Sequence, residues 1–149
     1  RILDKLDEHQ TKATFFCLGW IARTYPEVLK LIQNRRHRLA CHSDKHFFVR
    51  EMTPETFEQD LKHSLDSIEN VIGEKVNAFR APAFSISEDA LWAFKILAEN
   101  GIEIDCSIFP STRSFGGFPS FGEAQPTLIK YKGYEIKEFP ISTAKLLGK

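Results

Sequence analysis

Short apolar segments alternate along this chain with longer segments in which apolar residues recur at helical spacing. Residues 13–18 and 38–42 are short runs dominated by apolar side chains, as is typical of strands buried on both faces. Residues 54–72 show helical spacing most clearly, and Pro54 after a capping Thr53 marks where that helix begins. This alternation predicts an α/β fold.

The remaining segments continue the same alternation. Further strands are predicted at 76–80, 102–109 and 134–141, further helices at 26–32 and 88–98, and a Gly-, Pro-, Ser- and Phe-rich surface loop at 110–126. Right-handed crossovers between successive strands imply a parallel sheet, which either stays open or curls into a barrel. In both arrangements ligands bind beyond the carboxyl ends of the strands, so the residues that follow each strand are the candidate site residues.

Composition and charge limit the classes of partner. The chain has 149 residues, of which 42% are hydrophobic, and this is enough for one domain with a real core. Its 20 basic and 20 acidic residues cancel, so no net charge favours nucleic acid or an anionic membrane. No apolar stretch approaches the roughly 20 residues of a membrane span. We therefore expect a partner selected by a local site, with neither nucleic acid nor a membrane segment involved.

Three cysteines, Cys17, Cys41 and Cys106, each lie in or beside a predicted strand. Their odd number and apolar surroundings predict buried, reduced thiols rather than a redox or ligand role. Reduced thiols favour a reducing compartment, the cytoplasm.

Two histidines four residues apart, His42 and His46, directly follow a predicted strand. One helical turn or a tight turn would place both rings on one side, which suits a single divalent metal ion. Two histidines at this spacing can also be surface or core residues without a ligand role. The position of His42 directly after a strand is what favours the metal site. His9, His37 and His63 have no partner at ligand spacing, and we expect them at the surface.

Each of the other polar or aromatic side chains near the predicted strand ends has two possible roles. Arg80 is either a solvated arginine before a turn or a group that orients a carboxylate through a bidentate pair. Asp105 either supplies a further carboxylate or is structural. Phe47 and Phe48, directly after the histidines, either line a ligand groove or pack in the core.

Four segments occur in a recognisable order and spacing. They are Ala-Thr-Phe-Phe (13–16), His-Ser-x-x-His (42–46), Phe-Arg-Ala-Pro-Ala-Phe-Ser-Ile (79–86) and Asp-Cys-Ser-Ile-Phe-Pro (105–110). Together they resemble the polysaccharide deacetylases of carbohydrate esterase family four, the NodB-homology domain, from about residue 2 to at least residue 141. The last two segments look most like the branch associated with bacterial exopolysaccharide synthesis.

The resemblance implies a fold and an activity. The fold would be a distorted, incomplete (β/α) barrel with parallel strands, and residues 1–149 would be part of the deacetylase catalytic domain. The activity would be a hydrolase that removes N-acetyl groups from an amino-sugar polysaccharide or oligosaccharide with the help of a divalent metal, usually zinc.

The same resemblance implies roles for individual residues. His42 and His46 match the two metal-binding histidines, and Arg80 matches the arginine that orients the catalytic base. Three further residues would lie at the substrate: Pro82, Phe84 and Asp105.

Two motifs of the family have no counterpart in this sequence. The first carries Thr-Phe-Asp-Asp, which provides the catalytic base and the third metal ligand, and it would precede Arg1. The last carries the general-acid histidine and would follow Lys149. We therefore expect a chain incomplete at both ends, with weak metal binding and weak or no activity by itself. A noncatalytic carbohydrate-binding or scaffold domain, or an unrelated α/β metal hydrolase, remains as an alternative.

Overall fold

The computed structural model describes residues 1–112 and 116–143. The helices are α1 (Ile2–Glu8), α2 (Gly19–Thr24), α3 (Pro26–Asn34), α4 (Pro54–Ile72) and α5 (Trp92–Glu99). The strands are β1 (Thr14–Cys17), β2 (Arg38–Cys41), β3 (Ala78–Phe79), β4 (Ile104–Asp105), β5 (Thr127–Tyr131) and β6 (Tyr134–Glu138). Residues 113–115, in the predicted loop, lie outside the described part. None of the described helices is both long and apolar enough to cross a membrane.

Six strands form one sheet in the order β1-β2-β3-β4-β6-β5. Strands β1 to β4 and β6 run parallel, and β5 pairs antiparallel with β6 at one edge. Within residues 1–112 and 116–143 the sheet stays open, because β1 and β5 each pair on one side only. This mostly parallel α/β arrangement confirms the predicted fold class, an incomplete barrel.

Helix α4 begins and ends where the sequence predicts. The Thr53 hydroxyl accepts a hydrogen bond from the Thr56 N–H (3.3 Å), and Pro54 occupies the first helical position, where its missing N–H is not needed. The helix ends at Gly73, whose φ of 72° lies in the left-handed region that a side chain disfavours.

An aromatic contact joins α4 to both the sheet and α5. The buried ring of Phe57 lies 5.8 Å from the ring of Phe79 on β3 and 5.6 Å from that of Trp92 on α5. Burying one such phenylalanine contributes roughly 1.5–3 kcal/mol to the free energy of unfolding. The helices therefore cover the face of the sheet from which Phe79 projects.

Helix α2 and strand β5 were not predicted from the sequence. Helix α2 is a six-residue helix immediately after β1. Strand β5 forms a hairpin with β6 through Lys132 and Gly133, whose φ angles of 48° and 86° are both positive, as a type I′ turn requires. The predicted strands 76–80 and 102–109 are also shorter, because only two residues in each form the ladder.

Burial agrees with the prediction at Cys41, whereas Cys17 and Cys106 are only half-buried and one histidine is buried instead of exposed. Cys41 is fully buried, and its Sγ lies 3.3 Å from the Ser64 hydroxyl. The prediction of a surface position for His37 is wrong, since only 5% of this residue is exposed. Its Nδ1 accepts a hydrogen bond from the Ala13 N–H (3.4 Å), and its ring lies 5.5 Å from that of Phe15. The ring thus has one polar partner and one aromatic neighbour, and its Nε2 has no hydrogen-bond partner among the described residues.

Candidate active site

The residues that directly follow the parallel strands form a row across one edge of the sheet. Backbone hydrogen bonds of 2.8 to 3.0 Å between neighbouring strand ends continue the ladder through this row. Residues in register on parallel strands point to the same face. The row consists of Leu18, His42, Arg80, Cys106 and Phe139. The structure thus places two of the predicted site residues, His42 and Arg80, next to each other on one face.

His42 and His46 lie close together at this edge. Their ring centroids are 5.1 Å apart and the rings are inclined at 76°. His42 is half-buried, whereas His46 is exposed and its ring also lies 6.4 Å from that of Phe48. The arrangement leaves one side of the pair accessible to solvent.

A backbone carbonyl fixes the orientation of the His42 ring. Nδ1 of His42 lies 2.6 Å from the carbonyl oxygen of Arg80, and because a carbonyl only accepts, the proton belongs on Nδ1. Nε2 then carries the lone pair, which is the usual arrangement of a metal-binding histidine. Burial lowers the pKa of His42, the neighbouring His46 and Arg80 act in the same direction, and the Arg80 carbonyl opposes them. The neutral form, which binds metals, is therefore favoured.

The two histidines enclose a short loop in an uncommon backbone conformation. In this histidine loop, residues 42–46, Ser43 and His46 have φ angles of 68° and 66°. Both lie in the left-handed region that residues other than glycine rarely adopt. The Ser43 hydroxyl accepts a hydrogen bond from the His46 N–H (2.9 Å) and so closes the loop.

The guanidinium group of Arg80 lies between two aromatic rings. Its central carbon is 4.3 Å from the ring centroid of Phe16 and 5.6 Å from that of Phe84. Its Nε donates to the carbonyl oxygen of Cys106 (3.2 Å). These contacts hold a permanent positive charge at the same edge as His42.

The residues predicted to contact substrate differ in exposure. Pro82, the first residue of the turn 82–84, is buried, whereas Phe84 is half-buried beside Arg80. Phe47 is 57% exposed and directly follows His46. Phe84 and Phe47 therefore have surface to offer a ligand, and Pro82 has little.

Asp105 occupies a different environment from the one predicted. It has no exposed surface, and in register it shares the face of Phe79, which packs against α4. Its oxygens accept from the Ser107 hydroxyl (2.5 Å) and the Ser107 N–H (3.2 Å). This position does not support the substrate-binding role predicted for Asp105, because the carboxyl group points away from the face of His42.

Glu138 is a buried carboxyl that sequence reasoning missed. It lies beside Asp105 in the register of β4 and β6, and its Oε1 accepts from the Ile108 N–H (3.0 Å). Burial raises the pKa of Asp105 and raises that of Glu138 to about 10, and the adjacent Asp105 adds to the rise for Glu138. The alternation of side chains along β6 could have indicated that Glu138 is buried, because Glu138 falls on the same face as the buried Ile136.

The described residues fit part of a metal site. His42 and His46 supply two imidazoles, one of them with a defined tautomer. Within residues 1–112 and 116–143, no group of three or more His, Cys, Asp or Glu side chains has the geometry to hold a metal ion. The pair therefore resembles the histidine half of a divalent metal site rather than a complete one.

Comparison with known proteins agrees with this architecture. The sequence model of the family described as polysaccharide deacetylase matches residues 1–103. A peptidoglycan-N-acetylglucosamine deacetylase of Bacillus cereus is 31% identical over 94 residues, which are 62% of this chain and 34% of the relative. The chain thus spans about a third of the length of that curated relative.

Solved structures give the same result. A Mycobacterium smegmatis structure reported as a candidate polysaccharide deacetylase superposes with a TM-score of 0.80 at 25% identity, covering 95% of this chain and 44% of that one. The wild-type carbohydrate esterase family four pseudoenzyme BA3943 of Bacillus anthracis superposes with a TM-score of 0.63 at 25% identity, covering 68% and 35%. Because the family model matches more than half of the sequence, this chain belongs to the polysaccharide deacetylase family.

Proposed function

We propose that this protein is a metal-dependent deacetylase that hydrolyses the acetamide group of an amino-sugar polysaccharide. His42 and His46 would be ligands of a divalent metal ion, with zinc the first candidate. The observation that carries the proposal is the histidine pair itself: the rings lie 5.1 Å apart at the carboxyl edge, and the Arg80 carbonyl leaves Nε2 of His42 available.

The chemistry of the edge is compatible with acetamide hydrolysis. When bound, a divalent metal ion supplies Lewis-acid chemistry, lowering the pKa of water and polarising a carbonyl oxygen. Arg80 would hold a carboxylate base in place through charge-assisted hydrogen bonds, since Phe16 and Phe84 restrict its guanidinium. His42 would stay neutral near pH 7 and so remain a ligand.

The proposed substrate is a polymer or oligomer that contains N-acetylglucosamine-type units. Support comes from the name of the Bacillus cereus relative, a peptidoglycan-N-acetylglucosamine deacetylase. The exposed Phe47 next to His46 offers a flat apolar surface of the kind on which a sugar ring stacks. The sequence resemblance to the exopolysaccharide branch makes a bacterial exopolysaccharide the more specific candidate.

A second candidate is a noncatalytic member of the family that binds carbohydrate or acts as a scaffold. Two observations favour it: the similarity to the pseudoenzyme BA3943, and a histidine pair without a third ligand among the described residues. Such a protein would keep the sheet edge and bind sugar without releasing acetate.

Acetate release separates these candidates. The whole protein would be incubated with N-acetylated oligosaccharide, with zinc and with a chelator. The deacetylase is expected to release acetate only with metal, and His42→Ala is expected to abolish release. His63→Ala is the control, because His63 is an exposed histidine on α4 that is not part of the histidine loop. Sugar binding without acetate release would favour the scaffold, and release that survives the chelator would refute the metal-dependent site.

A further inference from the structure

The histidine loop is attached to helix α2 through Asp44, which lies between the two histidines in sequence. Nη1 of Arg23 donates to Oδ1 of Asp44 (2.7 Å) and Nη2 donates to Oδ2 (3.0 Å). The Asp44 side chain is only 5% exposed, and that of Arg23 is 36% exposed. Such a bidentate pair fixes orientation as well as distance. The Asp44 carboxylate is therefore engaged by α2 and is not a member of the proposed ligand set.

Helix α4 anchors the same loop from a second direction. Asp60 accepts a hydrogen bond from the Asp44 N–H (2.9 Å), and the Ser64 hydroxyl donates to the carbonyl of Ser43 (2.8 Å). Nη1 of Arg23 also donates to the Ser67 hydroxyl (2.6 Å), so the arginine links the loop to both helices. The loop is thus held by several polar contacts with α2 and α4.

These anchors coincide with the strained positions of the loop. Ser43 and His46 both have left-handed backbone angles, and Asp44 follows directly after Ser43. Non-glycine residues keep such conformations only where the surrounding structure holds them there. The contacts of Asp44 are among those that hold this backbone in place.

We infer that Arg23 and Asp44 are positioning residues whose ion pair keeps His42 and His46 in the arrangement needed to bind metal. The inference rests on the proposed function, because it concerns the same histidines. The Arg23 guanidinium is engaged with Asp44 and Ser67, so the effect of the pair would be exerted through the loop backbone. The pair therefore acts on metal affinity beyond its contribution to folding.

The test compares arginine substitutions in the whole protein. Arg23→Met removes the pair, and Arg23→Lys keeps the charge but loses the bidentate geometry. Arg35→Met is the control, since Arg35 also forms charge-assisted hydrogen bonds but with the exposed carboxylates of Asp4 and Asp7, far from the histidine loop in sequence. The zinc dissociation constant is measured by competition with a chromophoric chelator. Thermal unfolding and amide hydrogen exchange are measured without metal.

We expect Arg23→Met to weaken zinc binding by about 10–100-fold, the range found when a partner that orients a metal ligand is removed. Arg23→Lys should fold and weaken binding less, and Arg35→Met should bind as the unsubstituted protein does. The amides of Asp44 and His46 should exchange faster in both Arg23 variants. If Arg23→Met does not fold, the zinc dissociation constants of Arg23→Lys and Arg35→Met are compared instead, and weaker binding by Arg23→Lys supports the inference.

Two results would overturn the inference, and they are distinguishable. Zinc dissociation constants that agree within about twofold in the folded Arg23 variants, Arg35→Met and the unsubstituted protein would show that the pair only stabilises the fold. That result leaves the proposed metal site intact. Zinc binding that is no tighter in the unsubstituted protein than in a His42→Ala/His46→Ala variant would refute the metal site, and the inference with it.

Discussion

Glu138 and Asp105 lie side by side in register at the ends of β6 and β4, with both carboxyl groups buried. Oε2 of Glu138 has no hydrogen-bond partner among the described residues. A proton on one of the two carboxyl groups would supply a donor between them, while the Ser107 hydroxyl and N–H donate to Asp105. Two adjacent buried negative charges would be strongly unfavourable, so the pair keeps one proton.

This shared proton predicts that stability decreases as the pH rises. The pKa of Glu138 is raised from 4.5 to about 10, so between these values the folded chain binds a proton that the unfolded chain has released. The stabilisation is complete below pH 4.5 and is lost as the pH approaches 10. We expect the free energy of unfolding to fall across this window by up to about 1.4 kcal/mol per pH unit. Chemical denaturation at a series of pH values measures the slope.

A neutral replacement provides the control for this pH dependence. Glu138→Gln keeps a donor toward Asp105 and an acceptor for the Ile108 N–H, so its unfolding free energy should vary less between pH 6 and 9. Glu135→Gln, on the exposed side of the same strand, should keep the parental slope. Identical slopes in all three proteins would rule out the shared proton.

Local signals in the sequence were sufficient for the longer elements. Proline in the first turn marked the starts of α3 and α4, and Gly73 marked the end of α4, because these residues restrict the backbone by themselves. Helix α2 was missed because six residues starting with Gly19 carry too few periodic positions. The turn of the β5–β6 hairpin was missed because Lys132 occupies a left-handed position that Asn or Asp usually takes.

The candidate site could be predicted only in part. The carboxyl ends of parallel strands meet at one edge of the sheet, and this rule correctly placed His42 and Arg80 together because it depends on strand ends alone. The rule could not determine which face of the sheet a side chain projects from. Asp105 faces the helices because it lies one residue before Cys106, which is in register with Arg80. The contacts of Asp44 with Arg23 and Asp60 depend on helix packing between distant segments, which no local pattern encodes.

The close approach of α2 to the histidine loop predicts that Gly19→Ala is destabilising. A Cβ at Gly19 would lie 2.7 Å from the backbone Cα of Ser64 and would also meet the Asp44 carboxylate. Because backbone atoms cannot move aside easily, we expect a loss of about 1–3 kcal/mol in the free energy of unfolding. Thermal or chemical denaturation tests this. Thr24→Ala, at an exposed position of the same helix, should change stability by less than about 0.5 kcal/mol.

Replacing Arg80 should separate catalysis from metal binding. His42 contacts only the backbone carbonyl of Arg80, so Arg80→Met should leave the His42 ring in place and the zinc dissociation constant nearly unchanged. Acetate release by the whole protein should fall by about 10–100-fold, since a charge-assisted hydrogen bond contributes about 1.5–3 kcal/mol. Both quantities are measured on the same preparation. A parallel loss of zinc binding would indicate that the side chain instead supports the metal site.

The exposed ring next to the histidines leads to a prediction about substrate affinity. Phe47 is 57% exposed, so Phe47→Ala should change the free energy of unfolding by less than about 0.5 kcal/mol. If its ring stacks on a sugar, the loss of roughly 1 kcal/mol of contact should raise KM for an N-acetylated oligosaccharide about fivefold, with kcat and zinc binding little changed. Leu128→Ala is the control, because Leu128 is similarly exposed, at 44%, on β5 at the sheet edge opposite β1. Equal KM values in the two variants would assign Phe47 no part in substrate binding.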